Sequence, residues 1–157
     1  MVTSDKFREV MGQFATGITV VTTTGKDGRR YGLTVNSFTS VSLDPVMVLV
    51  CFDQRLSSLE HFRQSEKFGV SILSDRQQDV SQLFAKKDST RPAELYFDGP
   101  AGQPLIHNAL AYLECETVAV YPGGDHLIFL GKVISAEARD KETPPILYFR
   151  GKYHRLP

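Results

Sequence analysis

The spacing of apolar positions changes period several times along this chain, and each change marks an element. In SDKFREVMGQFATG, Phe7, Val10, Met11 and Phe14 fall three or four residues apart on one helical face, with Ser4 placed to cap the start and Gly17 to end it. ITVVTTT (18–24) is β-branched almost throughout and predicts a strand. GKDG then turns the chain into RRYGLTVNSF as a hairpin. PVMVLVCF (45–52) is continuously apolar, the pattern of a strand buried on both faces. Leu56, Leu59 and Phe62 predict a short amphipathic helix in DQRLSSLEHFRQS, and KFGVSIL (67–73) returns to strand. SDRQQDVSQLFAKK resumes the helical period, with Val80, Leu83 and Phe84 on one side and Ser74 or Asp75 as cap. From Asp88 to about Gly102 the periodicity is lost and Pro and Gly gather, so a loop is expected. NALAYLECETVAVYP (108–122) alternates as a long strand, GGD turns it into a second, HLIFLGKVISAEA, and PILYFRGKY supplies a last short one.

Six or seven mostly consecutive strands with two or three short helices predict an antiparallel, barrel-like domain. A doubly wound α/β sheet needs a helix between nearly every pair of strands, and those helices are missing. No repeat, low-complexity tract or linker divides the 157 residues, so residues 1–157 are expected to form a single domain.

Charge and cysteine content narrow the setting. Lys plus Arg and Asp plus Glu are 18 each, so no net field favours nucleic acid or an anionic membrane, although a local basic patch remains open. Cys51 and Cys115 both lie in apolar runs, which suits two thiols in a reducing compartment better than a disulfide framework. MVTSDKFREVMG has no apolar core of signal-peptide length, and no run approaches a membrane span. A cytoplasmic protein is expected.

Four stretches carry candidate chemistry. GLTVNSFTSVSLDP (32–45) spends more hydroxyl and amide groups than a reversal demands. Either they satisfy one another in Asx- and ST-turns, or with backbone N–H groups they form a concavity for a ligand, Asn36 both donating and accepting. In FDQRLSSLE, Ser57 and Ser58 stand near a helix start, where they either cap it or receive a phosphate with Arg55 beside them. YPGGDHLIF puts Gly123 and Gly124 in a reversal that glycine alone explains, and His126 at the strand start either meets a substrate or sits in solvent. ILYFRGKY sets Tyr148, Phe149, Arg150 and Tyr153 together, for ring stacking or for a dimer interface. His61, His107, His126 and His154 show no metal spacing with one another or with either cysteine. Cys51 reads as packing and not as a nucleophile, and neither GxGxxG nor GxxxxGK[ST] is present.

The ordered set FREVMGQFATGITVVTT, GLTVNSFTSVSLDPVMVLVCFD, SLEHFRQSEKFGVSIL, LFA, GGDHLIFLGKV and LYFRGKY resembles the flavin reductase family along nearly the whole chain, least from Asp88 to Gly102. The resemblance implies the FMN-binding split barrel working as a homodimer, and an NAD(P)H:flavin oxidoreductase that supplies reduced flavin to a two-component monooxygenase. It implies FMN or FAD as the flavin and NADH or NADPH as co-substrate. By resemblance, Thr34, Val35, Asn36 and Ser37 line the ring and ribityl side of the flavin, with Ser40 and Val41 close by. Cys51, Phe52, Asp53 and Gln54 continue that pocket, and Ser57 and Ser58 take the phosphate. Phe84 and Ala85 match a flavin-contacting pair. Gly124, Asp125 and His126 match a motif associated with nicotinamide binding, which Tyr148 and Arg150 complete. Lys152 stands where many relatives carry Arg. No acid–base triad is expected, because hydride passes directly from nicotinamide C4 to flavin N5 and the protein supplies position and electrostatics. The same fold also hosts FMN-binding and electron-transfer proteins without turnover, and GGDH favours the reductase over these.

Overall fold

A computed structural model describes residues 1–87 and 91–157. A helix α1 (Ser4–Met11) leads into strands β1 (Thr19–Thr24), β2 (Arg30–Val35), β3 (Phe38–Leu43) and β4 (Val46–Asp53). Helix α2 (Leu59–Ser65), strand β5 (Lys67–Ile72) and helix α3 (Gln78–Ala85) follow. Short strands β6 (Tyr96–Asp98) and β7 (Pro104–Ile106) precede the long β8 (Ala111–Gly123) and β9 (His126–Ala138), and β10 (Ile146–Phe149) and β11 (Lys152–Arg155) close the chain.

Seven strands form one antiparallel sheet in the order β2-β1-β5-β8-β9-β4-β3. Its two edge strands, β2 and β3, are consecutive and joined only by Asn36 and Ser37. A sheet whose first and last strands are two residues apart has to curl round on itself, which blunts both edges. At this seam the chain leaves β1, where Val35 pairs with Thr19, and crosses to β4, where Phe38 pairs with Val50.

Alternation then divides the core in two. Val21, Val48, Val50, Phe52, Phe68, Cys115 and Phe129 fill the inside of the curl, with Phe62 of α2 closing one end. Phe52 sits 4.9 Å from both the Phe62 and Phe129 rings, at separations that favour tilted and edge-to-face contact. Val20, Leu73, Val80, Phe84, Tyr96, Leu105, Ile106 and Ile146 form a second cluster, where α3 and the short strands pack against the sheet. The neighbours Val20 and Val21 thus serve opposite layers, as a period of two dictates.

The departures from expectation have local causes. α1 ends at Gly12, is capped by the Thr3 hydroxyl, and buries none of its residues, so Phe7, Val10, Met11 and Phe14 face outward. On β4 only Val48, Val50 and Phe52 are buried; Met47, Leu49 and Cys51 on the outer face are half-buried, because no second layer covers it as in parallel sheets. α3 begins after Gln77, whose side chain accepts from the Ser74 N–H. The expected loop from Asp88 to Gly102 contains part of a hairpin, β6 with β7, and its residues 88–90 lie outside the described ones. Buried Glu114 anchors that hairpin by accepting from the Ala101 and Gln103 N–H groups. PILYFRGKY folds as a two-strand hairpin of its own, with φ of 52° at Arg150 and 74° at Gly151.

Candidate functional site

β2 presents its side chains alternately to the curl and to α3, and the second face opens a cleft of about 1440 Å³. Thr34, Phe84 and Ala85 line it on the β2 and α3 side, and Asp53, Arg55, Leu56, Ser57 and Ser58 on the side between β4 and α2. The Thr34 hydroxyl donates to the Ser81 carbonyl at 2.6 Å, tying strand to helix. Gly32 lets α3 lie this close: a Cβ there would stand 2.8 Å from Cε1 of Phe84. Ser58 occupies the cap position of α2 without a side-chain hydrogen bond to the helix, which leaves its hydroxyl to the cleft.

Asp53 connects this cleft to the GGDH turn. Its Oδ1 accepts from the Arg55 N–H at 2.8 Å, and Arg55 Nη2 reaches Oδ2 at 2.7 Å; these bonds hold the carboxyl well below the ordinary carboxylate range. Asp53 is also the register partner of His126. Beside it the Gln54 N–H donates to the Asp125 carbonyl at 3.0 Å, and Gln54 Nε2 to the Gly124 carbonyl at 3.2 Å. Gly124 makes the reversal at φ 69°, whereas Gly123 keeps a negative-φ or extended backbone beside Ile128. Asp125 Oδ1 lies 2.7 Å from His126 Nδ1, and this bond lowers the Asp125 carboxyl. An ionised carboxylate only accepts, so Nδ1 carries the proton and Nε2 faces away from it.

The polar run 32–45 divides between structure and surface. The Ser37 hydroxyl donates to the Cys51 carbonyl at 2.8 Å, and the Cys51 N–H returns a bond to the Ser37 carbonyl at 3.1 Å, so these two residues close the seam. Asn36 and Ser40 are exposed, and Val41 stands at a bulge between Ser40 and Ser42. Val35 packs toward the inside of the curl. Burial pushes the Cys51 thiol up, which agrees with packing and not with a nucleophile.

Of the residues expected at one site, Thr34, Asp53, Ser57, Ser58, Phe84 and Ala85 share the cleft wall. Ser37, Cys51, Gln54, Gly124, Asp125 and His126 adjoin it through the seam and through Asp53. Phe52 is fully buried between two other Phe rings, so only its backbone can meet a ligand. Tyr148 and Arg150 do not line the cleft: Tyr148 bridges to Thr16, and the Arg150 guanidinium donates to Gln13 Oε1 at 2.7 Å. The turn at Arg150 and Gly151 directs them to the N-terminal segment.

Sequence reading left out Arg29, Arg30, Tyr31, Lys86, Lys87, Arg91 and Tyr96, all of which line the cleft. Among the described residues six basic side chains line it with one acid, Asp53; Arg55 is paired with that acid and Arg30 with Asp98. The overall charge balance hides this concentration, because the cations come from four separated segments. Among the described residues there is no cluster of His, Cys, Asp and Glu that could hold a metal, and no helix is long and apolar enough to cross a membrane.

Residues 11–157 match the family model described as "Flavin reductase like domain". The reductase component of a flavin-dependent trigonelline monooxygenase from Acinetobacter baylyi is 39% identical over 149 residues, which cover 94% of this chain and 47% of that protein. HsaB of Mycobacterium tuberculosis, the reductase subunit of a flavin-dependent monooxygenase, is 38% identical over 155 residues, 94% of this chain and 79% of that protein. This chain thus spans about half the length of the first relative and most of the second. Among solved structures, flavin reductase PheA2 superposes with a TM-score of 0.89 at 39% identity, covering 99% of each chain. The NADH:FAD oxidoreductase SgcE6 of Streptomyces globisporus, in complex with NAD and FAD fragments, gives a TM-score of 0.91 at 36% identity over 100% of this chain and 96% of that one. The mainly β barrel expected from strand spacing is the fold of these proteins.

Proposed function

The chain belongs to the flavin reductase family, and from that premise we propose that it is an NAD(P)H:flavin oxidoreductase whose reduced flavin serves a partner monooxygenase. The observation that carries this reading is the cleft itself, in which hydroxyls, two adjacent serines at a helix start and several basic side chains meet beside the GGDH turn. A phosphorylated ring ligand fits such a wall: Ser57, Ser58 and Arg55 suit its phosphate, and Thr34, Phe84 and Ala85 its ring end. The bound cofactors supply the redox chemistry, a hydride passing from nicotinamide to flavin.

The residues of this chain then have positioning and electrostatic tasks. His126 orients the nicotinamide dinucleotide; Asp125 fixes its tautomer and presents Nε2 as an acceptor for an amide N–H. The Asp53–Arg55 pair stiffens the corner between cleft and turn, holding the two binding regions at a constant separation. Ser37, locked to Cys51, keeps the seam backbone in place beside the ring. No side chain needs to move a proton for the hydride step.

A homodimer is part of this proposal. Leu43 is 91% exposed and Val46 49%, and Val41, Val118, Val120 and Ile134 are exposed on the same sheet's strands, an amount of apolar surface that suits burial against a second copy. Two free cysteines favour a reducing, cytoplasmic setting.

The test is to mix the purified protein with NADH or NADPH and excess FMN or FAD while following the nicotinamide absorbance band. Flavin-dependent loss of that band is expected. If neither nicotinamide is oxidised with either flavin, the reductase reading is wrong and a flavin-carrying protein without turnover replaces it.

A further inference from the structure

Arg55 stands between the cleft and the GGDH turn, within reach of both. Its Nε and Nη2 donate to the two oxygens of Asp53 at 3.1 and 2.7 Å, a fork on a carboxylate. The same side chain lines the cleft with Ser57 and Ser58. It is 85% exposed, so its pairing with Asp53 is screened by solvent and exchanges readily for a stronger acceptor. A phosphate monoester is such an acceptor, carrying about −1.5 to −2 charges against the single charge of a carboxylate.

Asp53 is bound into the turn on its other side. It is the register partner of His126, and Gln54 next to it donates to the carbonyls of Asp125 and Gly124. The charges at this corner act on one another. The Asp53 carboxyl is held down first by its Arg55 bonds and further by the charge of His126. Arg55 is raised first by Asp53 and further by Asp125. Asp125 is lowered first by its bond to His126 and pushed back up by Asp53. With Arg55 on Asp53, one guanidinium offsets the two carboxylates; with Arg55 turned into the cleft, that positive charge is gone from the corner.

We propose that Arg55 is a shared cation coupling the two ends of the site: an anion at Ser57 and Ser58 draws its guanidinium off Asp53, and the bared Asp53 carboxylate makes the GGDH turn favour a cationic nicotinamide ring over a neutral one. This coupling rests on the reductase reading above and adds its regulation. The corner keeps its shape through the exchange, because the Arg55 N–H bond to Asp53 Oδ1 at 2.8 Å and the two Gln54 bonds involve no guanidinium atom. Loss of hydride leaves a nicotinamide ring positive, so a bare carboxylate beside His126 favours hydride donation once a phosphate-bearing ligand is seated. Asp53 is a positioning residue in this scheme, its charge masked or exposed by Arg55.

The test is to titrate the flavin-free chain with NAD⁺ and with NADH, in chloride and in inorganic phosphate at equal ionic strength, and to compare the two dissociation constants. Both dinucleotides carry the same pyrophosphate, so the ratio of the constants reports the ring charge. In the parent chain phosphate should shift the ratio about fivefold toward NAD⁺, the low end of coupling between two sites. R55Q leaves Asp53 bare and D53N removes its charge. The variants should therefore start on opposite sides of the parent, R55Q toward NAD⁺ and D53N toward NADH, and neither should respond to phosphate. A corner with a structural role alone would move both the same way. The coupling is overturned if the parent ratio ignores phosphate, if R55Q or D53N keeps the phosphate response, or if both variants shift to one side, in each case with NADH oxidation by FMN intact. No binding of either dinucleotide and no flavin-dependent NADH oxidation would sink the reductase reading and the coupling with it, so the two failures are distinct.

Discussion

The inside of the barrel and the cleft beside it are built from the same strand and have opposite properties. On β2, Val35 packs against the apolar interior cluster and Gly32 and Thr34 face α3, while Tyr31 and Leu33 touch both that cluster and the cleft wall. The interior is apolar, aromatic and closed; the cleft is rimmed with cations and braced by hydroxyls. One period-two pattern therefore sends Val35 to the fold and Thr34 to the cleft, with Tyr31 and Leu33 at the boundary. Mutations at adjacent positions should separate the two. Phe52→Ala, inside the barrel, should cost about 3–5 kcal/mol in denaturant unfolding, the usual range for removing a buried Phe. Phe52→Leu keeps most of the packing. Should it unfold normally yet lose flavin binding, Phe52 belongs with the cleft and the division fails.

Gly32 tests the boundary itself. Cβ of an alanine there would meet Phe84 Cε1 at 2.8 Å and Thr22 Cγ2 at 3.2 Å. Because Phe84 is 1% exposed and braced by Tyr96, it has little room to yield. Gly32→Ala should therefore cost about 1–3 kcal/mol by overpacking. Displacing Phe84 should also weaken flavin affinity per folded molecule, which equilibrium titration of the variant measures. Lost stability with unchanged affinity would show that α3 is not part of the ligand wall.

How much of this was readable in the chain follows from the range of each signal. The long strands were legible because alternation is local: β8 and β9 lie close to their expected limits. The break between β2 and β3 was not, since VNSF reads as continuing strand and only the switch of partner from Thr19 to Val50 reveals the seam. β6 and β7, three residues each, are too short to show a period. The apolar face of α1 is legible as a stripe, but periodicity does not report what covers it. Ser57 and Ser58 were placed correctly at a helix start by their position before an apolar run. Arg30, Lys86, Arg91 and Tyr96 carry no common local pattern, so their convergence is a property of the tertiary fold alone. Tyr148 and Arg150 show the reverse, a motif whose neighbours in sequence are turned away by a backbone reversal at Arg150.

Thr34 measures the bracing of the cleft. Its hydroxyl bond to the Ser81 carbonyl is the only direct hydrogen bond from a β2 side chain to α3 among the described residues. Ser81 in turn shares a hydroxyl contact of 2.8 Å with Tyr153, so strand, helix and the last hairpin are linked. Thr34→Val keeps the shape and removes the bond, with an expected loss of about 1 kcal/mol. Flavin binding should weaken more than Phe52→Leu weakens it. The opposite order would place the ligand wall closer to the interior than the cleft.

Asp140 lies in neither region and supplies the smallest effect. Its Oδ1 accepts from the Thr143 N–H at 2.9 Å and the Glu142 N–H at 3.0 Å, shaping the turn that brings Pro144 against Asp75. Bonds from Thr143 and then Glu142 lower its carboxyl from 3.8 to about 2. A depressed acid stabilises the fold above its unfolded value and loses that contribution as pH falls through its folded one. The turn's share of stability should therefore be intact above about pH 5 and disappear between 3.8 and about 2. Asp140→Asn should flatten the acid limb of a melting-temperature profile over that window while the FAD and FMN titrations stay as in the parent chain. If those titrations shifted with Asp140→Asn, cleft and frame would be coupled through α3, and the separation between a structural barrel and a functional cleft would not hold.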